Sequence, residues 1–131
     1  MAVTYSTAAK TARMQAVADA IDGGSGAGKI KGYTSGDVLV ATWTLDDPCT
    51  GTDGGVSNGV LTFDVAPDKQ AVLATTGTIT KATITTSADT VVVSGLTVTV
   101  TGGGGDLTMS DNVVASTGDT VTLQTATITH A

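Results

Sequence analysis

The chain has no glutamate at all, one cysteine, one histidine, two prolines and four aromatic residues among its 131. Each scarcity excludes something. All twelve acidic residues are aspartate, which favours turns and caps over helix interiors, so strands joined by tight turns are expected. Cys49 alone cannot form an intrachain disulfide, and no oxidative framework is implied. None of the four aromatics is immediately flanked by a basic residue, as a stacking platform for nucleic acid would need. No stretch approaches the ~20 apolar residues of a membrane span. Residues 1–20 lack the continuous apolar core of a signal peptide, because Ser6, Thr7, Lys10, Thr11, Arg13 and Gln15 interrupt it. The expectation is a chain made and assembled in a cytoplasm, with no membrane partner.

Positive charge is also scarce, and it is unevenly placed. Residues 1–31 carry Lys10, Arg13, Lys29 and Lys31 and a balance of +2, whereas residues 32–131 carry −8. A body of that sign repels phosphate, so nucleic acid is not an expected partner. What the chain does hold in quantity is Thr (27), Ala (17), Gly (17) and Val (16). Leu, Ile, Val and Phe together make only 29 residues, enough for a thin core in a single β-rich domain.

One segment reads as helix. Over 6–21, Ser6 can cap the N-terminus, six alanines supply propensity, and Gly23-Gly24 ends the run. Met14, Val17 and Ile21 form a narrow apolar stripe with Lys10 and Arg13 beside it. From Lys29 onward the pattern has period two. Strands are predicted at Lys29–Tyr33, Asp37–Leu45, Val60–Val65, Thr78–Thr86, Thr90–Val93, Leu96–Val100, Asp106–Met109 and Thr120–Thr129. Residues 46–59 read as a loop, residues 66–69 as a turn, and Ser87-Ala88-Asp89 as a hairpin connection. Parity changes between Ile79 and Ile84, and between Leu123 and Ile128, suggest bulges. The expected fold is all-β: a jelly-roll-like β-sandwich with one short N-terminal α-helix, a single domain over 1–131. Within it, 1–28 is helix plus Gly-rich linker and 29–131 the sandwich.

The motifs that could carry chemistry are weak. GGSGAGK over 23–29 has the spacing of a phosphate loop, but Ile30 stands where Ser or Thr should hold magnesium. It also follows a helix and precedes a strand, the reverse of the required order. TGGGGD over 101–106 is a single, shortened copy of a calcium repeat that works by stacking. Asp46, Asp47 and Asp53 could gather around a hard cation, yet they read more simply as solvated turn carboxylates. Cys49 and His130 would need a chain terminus pinned beside a loop to act together. No enzyme and no cofactor is expected. Thr-x-Thr pairs such as Thr83/Thr85, Thr97/Thr99 and Thr125/Thr127/Thr129 fit ordinary solvent-facing strands. A Thr-rich glycan-binding module is the rival reading of those pairs.

The two ends of the chain carry a resemblance. TYSTAAKTARMQAVADAI (Thr4–Ile21) and GDLTMSDNVVASTGDTVTLQTATITH (Gly105–His130) are together similar to the ends of a family of small tailed-phage and prophage virion structural proteins. Members open with a Y-S-T-A helix and close on a G-x-D-L-x-L…G-x-x-V…I-T pattern. Asp106-Leu107, Gly118-Asp119-Thr120-Val121 and Ile128-Thr129 match it, and Met109 replaces a Leu. The family's aromatic-rich strand before the hairpin is KATITT here. The resemblance implies a non-enzymatic component of the virion, in the manner of capsid decoration or cement proteins, with tail or fibre and host-adhesion roles as the alternative. It implies the major capsid protein and further copies of this chain as partners, a trimer being the state the class suggests. Lys10, Arg13, Lys29 and Lys31 are the expected contact residues, because a basic N-terminal end and an acidic body would orient the protein on a charged shell.

Overall fold

A computed structural model describes residues 3–51, 54–65, 69–109, 113–114 and 121–129. The chain is mostly β with one N-terminal helix, and its main sheet curls. Helix α1 (Thr7–Ile21) begins where the sequence places it, with the Ser6 hydroxyl accepting the Ala9 N–H at 3.1 Å. Such a cap stabilises a helix by about 1 kcal/mol. Its buried residues are Met14, Ala18 and Ile21. Ala18 takes the central place expected of Val17, which is only partly buried. The helix lies over β3, β4 and β9.

Among the described residues twelve strands follow: β1 (Lys29–Tyr33), β2 (Leu39–Thr44), β3 (Gly55–Ser57), β4 (Val60–Thr62), β5 (Lys69–Gln70), β6 (Val72–Leu73), β7 (Gly77–Thr78), β8 (Lys81–Thr85), β9 (Val91–Val100), β10 (Leu107–Met109), β11 (Val113–Val114) and β12 (Thr122–Thr129). Ten of them form one sheet in the order β3-β4-β12-β10-β9-β8-β1-β2-β6, with β5 on β12; β7 and β11 pair separately. The curl comes from two long strands that change partners. Val91–Thr97 of β9 pairs with β8 and Val98–Val100 with β10, while β12 passes from β5 to β10 to β4 along its length. Strands that switch neighbours in this way turn the corners of curved sheets. Residues 69–73 then reach across the gap. Lys69 and Gln70 pair with β12, Val72 and Leu73 pair with β2, and the Ala71 N–H bonds the Val121 carbonyl.

The enclosed face is apolar. Ile30, Trp43, Leu61, Ile84, Leu107 and Leu123 are wholly buried there, and Met14, Ala18 and Ile21 of the helix close it. The outward face of the same strands alternates to Lys29, Lys31 and Tyr33 on β1 and to Lys81 and Thr83 on β8. Thr97, Thr99, Thr125 and Thr127 continue it on β9 and β12. Threonine on a solvated strand face is the ordinary β choice.

Several expectations need correction. Residues 46–59 are not all loop: Asn58 (φ 52) and Gly59 (φ 76) form the turn of a hairpin between β3 and β4. Positive φ at both central positions is the type I′ requirement that Asn-Gly meets. Thr90–Val93 and Leu96–Val100 are one strand, β9, because Ser94-Gly95 is a bulge in its pairing with β8 and not a turn. The parity change between Ile79 and Ile84 is the interruption at Ile79-Thr80 that separates β7 from β8. The one between Leu123 and Ile128 is a register shift in β12 against β10. Of the 66–69 turn, Lys69 belongs to β5 and 66–68 lie outside the described residues.

The tetraglycine stretch has a structural use. β9 and β10 are parallel neighbours joined only by residues 101–106, far fewer than the dozen or more such a connection usually takes. Gly102 (φ 91) and Gly104 (φ 82) make the reversal. The Asp106 carboxylate then clasps it, accepting from the Thr97 N–H at 3.0 Å and from its hydroxyl at 3.1 Å.

Candidate functional site

The four basic residues expected to contact a partner fall into two pairs. Lys10 and Arg13 stand in the first half of α1. The Lys10 side chain lies against Gly59 of the β3–β4 turn, where a Cβ would come within 2.9 Å of the Lys10 Cβ. Arg13 stacks its guanidinium 3.8 Å from the Tyr5 ring centroid, a contact worth about 0.5–1 kcal/mol at an exposed position. That stack holds the extended segment before the helix, in which Val3 is 75% exposed.

Lys29 and Lys31 alternate on the outward face of β1. Both reach Asp89, in the β8–β9 hairpin, at 3.1 and 3.0 Å. The hydrogen bonds from Lys31 and then Lys29 hold the Asp89 carboxyl below the ordinary carboxylate range. Asp89 sits at φ 67 with its N–H bonded to the Thr86 carbonyl, and the Thr86 hydroxyl accepts the Ala88 and Thr90 N–H groups. The hairpin thus aims one carboxylate between two lysines and leaves the cluster one positive charge in excess. Sequence reasoning missed Asp89 because it lies 60 positions from Lys29. Its place at the tip of a predicted hairpin was the one usable signal.

The remaining candidates resolve into structural roles. Cys49 is fully buried, its thiol 3.9 Å from the Ala18 carbonyl. Burial first, and then the Asp22 carboxylate, push that thiol up to about 12, so no thiolate is available near neutrality. The Cys49 N–H bonds Asp22 Oδ1 at 2.9 Å, tying the 46–51 segment to the end of the helix. His130 and Asp53 lie outside the described residues, as do Ser116–Thr120. Asp46 and the buried Asp64 approach the same edge of Gly51. Among the described residues no group of three His, Cys, Asp or Glu is placed to hold a metal. GGSGAGK is a helix-to-strand connection, with Gly28 pressed against Ile21 and the Thr85 carbonyl. Among the described residues no helix is long and apolar enough to cross a membrane. Comparison with protein families, with curated proteins and with solved structures finds no match to this chain.

Proposed function

We propose that this chain is a non-enzymatic structural protein of a tailed-phage virion, binding the major capsid shell in many copies as a decoration or cement protein. The observation that supports it most is where the two resembling ends lie. Thr4–Ile21 supplies α1, and the described part of Gly105–His130 supplies β10 and β12 of the main sheet, with β11 paired to β7 apart from it. Helix α1 packs on β4, and β4 pairs with β12, so both ends build one continuous part of the domain. In this reading the curled sheet is a flattened, jelly-roll-like sandwich, with β2-β1-β8 and β4-β12-β10 on either side of a common core. Lys10, Arg13, Lys29 and Lys31 face the shell, and further copies of the chain supply the rest of the buried surface that a thin core needs. The site of action is the virion, assembled in the bacterial cytoplasm.

Quantitative mass spectrometry of purified virions tests this. A ratio near one copy per major capsid subunit, or a simple fraction of it, is the expected result. A handful of copies per particle assigns the chain to the tail or a vertex instead, and absence from the particle overturns the reading.

A further inference from the structure

The outward face of β1, β8 and β9 is not flat. A groove of about 320 Å³ opens in it, lined by Tyr33, Asp37, Lys81, Thr83, Ser94 and Gly95. That volume lies at the lower end of the ~300–1,000 Å³ typical of small-molecule sites. The fold builds it from two departures from regular structure and one ion pair. The β9 bulge sets Ser94 and the side-chain-free Gly95 (φ 77) together opposite Thr83, between the Ala82–Leu96 and Ile84–Val93 pairs. Asp37 is held at φ 66 by a turn in which the Thr34 hydroxyl accepts the Gly36 and Val38 N–H groups. Asp37 then pairs with Lys81 across the mouth. Bulges recur next to binding sites because they re-aim side chains.

The lining narrows the ligand. The ion pair has no net charge, so it gives no preference for an anion or a cation, yet it offers a strong acceptor beside strong donors. Tyr33 supplies an aromatic surface. The Thr83 hydroxyl is shut away from the surface and has no hydrogen-bond partner in the protein, although buried hydroxyls are almost always paired. A neutral molecule with an apolar face and hydroxyls at its edge meets all three conditions. We propose that this groove binds a single pyranose unit of a neutral saccharide. The sugar's C–H face lies on Tyr33, its hydroxyls bridge Asp37 and Lys81, one reaches Ser94, and a turn of the Thr83 side chain about χ1 brings its hydroxyl, shut away in the free protein, out to the bound sugar. This proposal is independent of where in a particle the chain sits, and of the Thr-x-Thr pairs it uses Thr83 alone, not a threonine-lined face.

The test is saturation-transfer NMR on the full chain in solution, with methyl glycosides of glucose, galactose and mannose and with N-acetylglucosamine as probes. Saturation of the ring protons of at least one probe is expected, with a Kd of about 1 mM as befits one sugar on one aromatic. Lys81→Ala and Thr83→Val, both at partly exposed positions, should weaken it at least about tenfold, while Lys10→Ala leaves it unchanged. Thermal unfolding of each variant confirms that it is folded, and Thr83→Val should not lower Tm because it removes an unpaired hydroxyl. No transfer to any probe overturns the proposal. So does transfer that survives both groove substitutions, since binding then lies elsewhere.

Discussion

The Thr11 hydroxyl accepts the Gly59 N–H at 2.9 Å, joining the first half of the helix to the turn between β3 and β4. Gly59 also faces Lys10 closely, at a positive φ. Helix seating and hairpin geometry therefore depend on each other. Thr11→Val keeps the shape of the side chain but leaves a partly buried N–H without its acceptor, which costs about 1–3 kcal/mol. Gly59→Ala adds strain at a left-handed position and a contact with Lys10, and should cost at least as much. Urea denaturation checks both, with a lower midpoint and an unchanged slope as the expected outcome. A midpoint equal to the parent's for Thr11→Val would show that the helix is seated by its apolar stripe alone.

Asp89 predicts a pH dependence whose sign follows from its environment. Its carboxyl is held below the ordinary carboxylate range by hydrogen bonds from Lys31 and Lys29. A depressed folded value means that the contribution is present above the unfolded pKa and disappears as pH falls through the folded one. Asp89→Asn suits the same positive φ, so it removes the charge without straining the turn. The parent should exceed the variant in Tm at pH 7, and the gap should close as the pH is lowered well below 3.8. Added salt should narrow the gap at neutral pH, because the cluster is open to solvent. A gap that is constant with pH would assign the effect to the turn rather than to the charge.

Cys49 should behave as a core residue and not as a reagent. It is fully buried, and its pKa is raised to about 12, so the thiolate fraction at pH 8 is negligible. Labelling by iodoacetamide should be slow in the native protein and fast in denaturant, with the native rate following the opening of the 46–51 segment. Cys49→Ser should cost about 1–3 kcal/mol by placing a poorly paired hydroxyl in the core. Rapid native labelling would place the thiol outside the core.

What the sequence made legible was local. Ser6 and the alanines mark the helix by local signals, and the Ser87–Asp89 connection names its own hairpin. Asn58-Gly59 was equally local, but its Asp-, Gly- and Pro-rich surroundings weighed toward loop and concealed it. The remainder depends on distant partners. Gly95 reads as a turn until β8 runs past it and makes it a bulge. The parallel pairing of β9 with β10 follows from how Gly103 and Gly105 lie against Thr99, which no periodicity reports. The basic candidates were found by composition, whereas the carboxylate that organises two of them came only from the fold.

That division decides how the proposed particle contact should be tested. Reversing Lys29 or Lys31 would place like charges around Asp89 and disturb the hairpin as well as any interface. Lys10 and Arg13 make no ion pair among the described residues, so Lys10→Glu with Arg13→Glu is the cleaner experiment. Arg13 also holds Tyr5, and Tyr5→Ala alone therefore serves as the control for the loosened segment. Charges at the rim of an interface act mainly on association rate and salt dependence. The double reversal should weaken binding to particles that lack this protein by about tenfold at low ionic strength, and by less as salt screens the contact. Tyr5→Ala should have a smaller effect that salt does not change. Binding unaltered by the double reversal at low salt would remove the helix from the interface and leave the β1 lysines, with their excess positive charge, to be tested by Lys31→Gln.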